Sequence, residues 1–182
     1  MAIESARGEM GGGEGRTARG AADRTAAGAA HGAASGQGSP AATGSCLCGG
    51  VRYEVRGPLR DILFCHCENC RRTHGNFSAY TSARREELVI TGDDTLRWYH
   101  TDKDVTPDVQ RGFCGVCGAS VFWDPRGYEY VYISAGTVDP PTGIRGAGHI
   151  WLSEAGDYYE ITDDLPRADG SSKGLFLGTP HD

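Results

Sequence analysis

The sequence predicts a mainly β domain built of small sheets, and three observations carry that prediction. Short apolar alternations recur from Gly44 onward, punctuated by Gly, Asp and Pro. No window of eleven or more residues holds a helical period. All seven cysteines fall into three tight groups, spaced so that their turns can tie distant strands together.

Taken in order, Val51, Tyr53 and Val55 alternate with Arg52, Glu54 and Arg56, a half-buried strand that Gly57-Pro58 stops. Ile62-Leu63-Phe64 runs into a cysteine group. Residues 77–81, 87–91 and 96–100 read as three further strands, with Gly92-Asp93 turning between the last two. A polar stretch containing Pro107 follows, then a strand over 119–123 that ends in the turn Asp124-Pro125-Arg126-Gly127. Residues 128–134 set three tyrosines against Glu129, Val131 and Ile133, and residues 149–152 and 158–161 complete the strands. Residues 68–72 can form one helical turn, and residues 138–148, with Pro140-Pro141, read as a loop. The aromatic stripe of Tyr128, Tyr130 and Tyr132, with Trp98 and Trp123, reads as packing within small sheets rather than as a ligand wall.

The chain has 182 residues and a formal charge of −6. Residues 1–44 hold 11 Gly and 13 Ala, with no aromatic residue and no Cys, so residues 1–43 read as a disordered leader. Arg7, Arg16, Arg19 and Arg24 balance Glu4, Glu9, Glu14 and Asp23, which leaves the whole −6 on the remainder. That acidic remainder lacks the basic footprint of a nucleic-acid binder, and no nucleic-acid partner is expected. No apolar run approaches the ~18 residues of a membrane helix, and the N-terminus has no apolar signal core, so no membrane association is expected either. The expected location is cytoplasmic, where clustered cysteines mean metal or catalysis rather than disulfides. Residues 44–167 are the working domain. Residues 168–182 read as a loose tail, in which Leu175-Phe176-Leu177 is apolar enough to dock. Nothing in the pattern signals an oligomeric state.

The cysteine groups are Cys46-Leu47-Cys48, Cys65-His66-Cys67-Glu68-Asn69-Cys70 and Cys114-Gly115-Val116-Cys117. Close pairs on a turn present two thiolates to one cation, and three such groups with no cysteine left over point to zinc. A structural zinc takes four protein ligands, whereas a catalytic zinc takes three and keeps one position open. The simplest partition closes one site with Cys46, Cys48, Cys114 and Cys117 and leaves Cys65, Cys67 and Cys70 as the open one. A rival partition closes the triplet with a histidine. Against it, His66 sits between two ligands and is expected to point away, and His74 reaches the triplet only if the chain turns back. Both histidines otherwise read as solvent-facing or hydrogen-bonded loop residues. An open three-thiolate zinc favours an incoming thiol, because the cation lowers the thiol's pKa and binds the thiolate directly. Its electron-rich ligands make it a poor activator of water, so sulfur chemistry is expected over hydrolysis.

The segments Gly44-Ser45-Cys46-Leu47-Cys48-Gly49-Gly50-Val51-Arg52-Tyr53, Cys65-His66-Cys67-Glu68-Asn69-Cys70-Arg71 and Arg111-Gly112-Phe113-Cys114-Gly115-Val116-Cys117-Gly118, followed by Phe122-Trp123, resemble the glutathione-dependent formaldehyde-activating enzyme (GFA) family, a domain also found in centromere protein V. The resemblance spans roughly residues 44–167. It implies an Mss4-like arrangement of small β-sheets organised around zinc knuckles. It also implies two zinc ions, structural on Cys46, Cys48, Cys114 and Cys117 and catalytic on Cys65, Cys67 and Cys70. The implied activity is that of a carbon–sulfur lyase or synthase, joining a small-molecule thiol such as glutathione to an aldehyde such as formaldehyde to give S-(hydroxymethyl)glutathione. Such a thiol carries carboxylates, so Arg71, Arg72 and Arg111 are candidate substrate contacts, and His149 is a candidate proton-transfer group. The alternative is a non-catalytic zinc scaffold or adaptor that binds a partner.

Overall fold

The computed structural model describes residues 41–173 and 175. The leader expected over 1–43 therefore lies outside the described residues up to residue 40, as do residue 174 and residues 176–182, Phe176 and Leu177 among them.

Among the described residues ten strands and one short α-helix follow in order: β1 (Ala42–Ser45), β2 (Arg52–Val55), β3 (Ile62–Cys65), α1 (Glu68–His74), β4 (Ser78–Arg84), β5 (Leu88–Gly92), β6 (Leu96–Thr101), β7 (Val109–Cys114), β8 (Ser120–Pro125), β9 (Tyr130–Ser134) and β10 (Gly146–Ile150). They form a three-stranded sheet ordered β1-β2-β5 and a seven-stranded sheet ordered β10-β3-β4-β9-β8-β7-β6. The mainly β prediction holds. In the larger sheet β10 runs parallel to β3, and every other neighbouring pair is antiparallel.

The period of two along each strand divides the larger sheet into two faces with different work. On one face Ala83, Phe122, Val131 and Ile133 pack against Val51, Tyr53 and Val55 of the small sheet, all of them buried. The Tyr53 and Phe122 rings meet edge-on at 5.4 Å, and truncating Phe122 would cost about 3–5 kcal/mol. The register places Leu63 opposite Tyr80, Cys65 opposite Ser78, Ser82 opposite Tyr132 and Trp123 opposite Tyr132. These residues share the other face, so the strand that delivers Cys65 also aligns it with an aromatic row.

Several elements differ from the sequence expectation: β1 starts at Ala42, inside the leader expected over 1–43, and β10 starts at Gly146, inside the loop expected over 138–148. Strand β7 forms although Gln110, Arg111 and Gly112 interrupt its apolar alternation. Arg111 is buried against a carboxylate, and a Cβ at Gly112 would come within 2.9 Å of both Phe122 and Trp98. Residues 158–161 form no strand; Tyr159 instead sends its hydroxyl to a buried histidine. The helical turn expected over 68–72 runs on to His74, where the Gly75 N–H caps the Arg71 carbonyl. The tail expected to be loose from residue 168 is pinned at its start: Ala168 N bonds His149 O, Leu152 N bonds Ala168 O, and Trp151 N bonds Gly170 O at 2.8 Å.

Candidate metal centres and the adjoining cavity

Two turns bring four thiols together where the small sheet meets the large one. Cys46 and Cys48 lie between β1 and β2, Cys114 ends β7, and Cys117 lies in the turn before β8. Each turn closes the same way, with Gly49 at φ +75° donating to Cys46 O and Gly118 at φ +74° donating to Cys114 O. Backbone amides also point at sulfur: Val51 N lies 3.2 Å from Cys46 Sγ, and Cys117 N 3.5 Å from Cys114 Sγ. Bonds from the Cys117 backbone, and then from Thr95 Oγ1, draw the Cys114 thiol down to about 5. Cys46–Cys48 and Cys48–Cys114 sulfur separations are both 3.6 Å, and all four sulfurs lie within 4.8 Å of one another. A tetrahedral zinc with Zn–S near 2.3 Å needs edges of about 3.8 Å, so the donor set fits that ion.

The second cluster sits at the join of β3 and α1. Cys65 ends β3, Cys67 is the N-cap residue of α1 with its sulfur 3.4 Å from Cys70 N, and Cys70 lies in the first turn. Their sulfurs also lie within 4.8 Å of one another. Hydrogen bonds from Cys65 and Cys67 hold the Cys70 thiol far down, at about 3, while the bond with Cys67 pushes Cys65 up. Three thiols this close oppose one another's ionisation. A divalent cation removes that conflict, and the all-thiol donor set suits zinc.

Neither histidine completes the triplet. His66 is fully buried, not solvent-facing, and points away from the sulfurs: its Nδ1 lies 2.5 Å from Tyr159 Oη and its Nε2 2.9 Å from His149 Nδ1. Burial, and then the neighbouring His149, lower its pKa to about 4. His74 Nε2 lies 3.0 Å from Tyr80 Oη. Among the described residues the triplet thus has three protein donors and no fourth.

A cavity of about 1090 Å³ opens directly against Cys65, Cys67 and Cys70. Its inner wall comes from the aromatic row of the sheet, Tyr80, Tyr132 and Trp123, together with Ile150 and Trp151. At the far end lies the buried guanidinium of Arg60, 3.2 Å from Ser82 Oγ, 3.1 Å from Tyr80 O and 5.8 Å above the Tyr132 ring. Charged side chains, Glu68, Arg71, Lys103 and Glu154, stand at its edge.

Of the four side chains expected at a substrate, the structure brings one to this cavity. Arg71 borders it, oriented by a 2.9 Å bond from Nε to Glu154 O. Arg72 is exposed and pairs with Glu68 one helical turn away at 2.8 Å. Arg111 is buried next to Cys70 but committed to both oxygens of Asp104, at 2.9 and 2.8 Å. His149 is buried between His66 and Asp163, away from the cavity lining. The reading of the aromatics as packing holds for Trp98, stacked on Phe122 at 6.0 Å. Trp123 and Tyr132 also pack, edge to face with centroids 4.9 Å apart, and with Tyr130 they border the cavity as well. The alternation of Tyr130 and Tyr132 marked them as sharing a face. Nothing local marked Arg60 or Trp151.

The model of the family "glutathione-dependent formaldehyde-activating enzyme" matches residues 41–154. A curated protein of Halomonas elongata, provisionally named a glutathione-dependent formaldehyde-activating enzyme, is 34% identical over 129 residues, which is 65% of this chain and 79% of that protein. Among solved structures, the crystal structure of a Rhodobacter sphaeroides protein is 27% identical and covers 54% of this chain and 88% of its own, with a TM-score of 0.44. No helix among the described residues is long and apolar enough to cross a membrane. Through the match over residues 41–154, which takes in both cysteine clusters, the chain belongs to the glutathione-dependent formaldehyde-activating family.

Proposed function

We propose that the chain joins a thiol to an aldehyde at the three-cysteine end of the cavity, with glutathione and formaldehyde as the pair its family name supplies. The observation that carries this reading is the triplet itself: three sulfurs within 4.8 Å, no fourth donor among the described residues, and a cavity directly against them. Two zinc ions fit the two donor sets, and the ion at the triplet would supply a cation that favours the ionised form of an incoming thiol.

The reaction balances without a further reagent. The thiol sulfur forms a bond to the carbonyl carbon, the C=O π pair moves to oxygen, and that oxygen takes the proton the thiol gave up. The product is a hemithioacetal, and the reverse step cleaves the same carbon–sulfur bond. The protein's share is to bring the two reactants together, which converts a bimolecular encounter into a local one. Arg71, held by Glu154 O, and Lys103 offer cations for the thiol's carboxylates, while Glu68 and Glu154 offer partners for its ammonium group. Free thiols clustered in this way suit a reducing compartment such as the cytoplasm.

The deciding experiment measures exchange between formaldehyde with glutathione and S-(hydroxymethyl)glutathione by NMR, with the zinc-loaded protein and with Cys67→Ser. Acceleration by the first and its loss in the second support the reading. Two bound zinc ions with no acceleration would sink it in favour of a zinc scaffold.

A further inference from the structure

The cavity must hold both reactants, a tripeptide-sized thiol and a far smaller aldehyde if the family name is taken at its word. A one-carbon aldehyde is hardly bigger than a water molecule, whose share of liquid volume is about 30 Å³. About 1090 Å³ lies just above the roughly 300–1,000 Å³ that holds drug-sized ligands. The division of the lining is as telling as its size. The charged groups at the edge suit a peptide-like thiol, whereas the wall beyond the cysteines offers ring faces.

Three observations define that wall. Trp123 and Tyr132 face each other in register on β8 and β9, with ring centroids 4.9 Å apart at 75°, and Arg60 lies over Tyr132. Ile150 is the parallel-sheet partner of Cys65, so an apolar side chain stands beside that cysteine. Trp151 adopts φ +61°, a left-handed conformation that bulky residues rarely hold, fixed by its N–H to Gly170 O at 2.8 Å. That backbone directs the indole into the same cluster as Cys65 and Cys70. Tyr132, Trp123 and Trp151 are all half-buried and border the cavity. Such rings bind by burying apolar area and by offset or edge-to-face ring contacts, and a small hydrated aldehyde uses neither.

We infer that the carbon partner joined to sulfur at this site carries a bulky apolar group, aromatic above all, seated against Trp151, Trp123 and Tyr132. The inference rests on the thiol–aldehyde reading and names its substrate class: an aryl or long alkyl aldehyde, with the thiol's charged ends at the cavity edge.

Binding of two inert product mimics to the zinc-loaded full chain tests it, with S-benzylglutathione and S-methylglutathione as probes and calorimetry as the readout. The benzyl thioether should bind at least tenfold more tightly. Trp151→Gly removes the indole at a position whose φ suits glycine, and it should cut the benzyl-to-methyl ratio at least fivefold. Tyr132→Leu should cut it independently, so the result does not hang on one variant's folding. Equal affinities in the native protein, or a ratio untouched by both variants, would overturn the bulky partner while leaving glutathione recognition standing. Failure of both thioethers to bind would overturn the glutathione reading itself, and the inference with it.

Discussion

His66 Nε2 lies 2.9 Å from His149 Nδ1, and this contact is the centre of a chain of side chains that runs from Asp163 to Tyr159. Asp163 meets His149 Nε2 with both oxygens at 3.1 Å, and the amide of Leu165 and then His149 itself keep its carboxyl below the usual range. An ionised carboxylate only accepts, so His149 Nε2 carries a proton and donates. His149 Nδ1 and His66 Nε2 share one hydrogen, and His66 Nδ1 meets the Tyr159 hydroxyl at 2.5 Å. The chain holds both rings directly behind the turn that presents Cys65 and Cys67.

His149→Leu breaks this chain in the middle and leaves His66 Nε2 buried without a partner. An orphaned buried polar group costs about 1–3 kcal/mol, and urea denaturation of the metal-loaded protein should register a loss of that size. Asp163→Asn should cost less, because the Asp163 side chain is 48% exposed and water can take its place. A His149→Leu variant as stable as the native chain would show that this contact does not hold the fold.

The two cysteine clusters should respond differently to the loss of one ligand. Cys46 and Cys114 are buried where the two sheets meet, so the four-thiol ion is bound only in the folded state and its binding contributes folding free energy. Cys46→Ser or Cys114→Ser should yield poorly folded protein with an early thermal transition. Cys67 is half-buried at the start of a seven-residue helix, and Cys67→Ser should empty the triplet while keeping the four-thiol ion and most of the native circular dichroism. Zinc analysis alongside thermal melts separates the outcomes. Equal destabilisation by both replacements would refute the division of roles.

Those clusters were readable in the sequence because a metal knuckle is a local device: the turn needs its cysteines two or three residues apart and a glycine to close it. The strands around them were readable for the same reason, since period-two alternation is local. Strand β7 was missed because its pattern is set by distant partners. Arg111 is tolerated there only because Asp104 reaches it, and Gly112 only because Phe122 and Trp98 crowd it. The cavity shows the same limit. Arg71 could be placed from its position next to Cys70, but Arg60 reaches the far end only through the pairing of β3, β4 and β9. The His66 to His149 contact joins residues 83 apart along the chain, and no spacing rule announces it.

Arg71 and Arg111 make a controlled pair, since both were expected to meet substrate and only one borders the cavity. Arg71→Ala should raise KM for glutathione about tenfold, the loss of one charge-assisted contact of about 1.4 kcal/mol, with kcat and thermal stability nearly unchanged. Arg111 and Asp104 are 6% and 10% exposed, and Asn69 and Trp123 also donate to that carboxylate. Arg111→Met leaves a buried carboxylate without its counter-charge and should cost about 3–5 kcal/mol of stability, which Asp104→Leu added to it should partly restore. The reverse outcome, a stable Arg111→Met with a raised KM, would place Arg111 at the substrate.

His74 gives the fold a dependence on pH that one substitution can remove. Burial strips water from its cationic form and the Arg111 guanidinium opposes it, so its pKa falls to about 4, while Cys67 acts weakly the other way. In the unfolded chain the same group titrates near 6.5. Between those values the unfolded chain binds a proton that the folded chain refuses. The contribution is therefore complete above about pH 6.5 and is lost as the pH falls toward 4. At pH 5 the loss from this one group is about 2 kcal/mol relative to pH 7. Gln at this position can still bond Tyr80 Oη but does not titrate. Urea midpoints at pH 7 and pH 5 should accordingly draw apart by about 2 kcal/mol less in His74→Gln than in the native chain. Metal release at low pH affects both proteins, so the comparison isolates the histidine. Identical pH dependence in the two would mean that His74 is free to protonate where it stands.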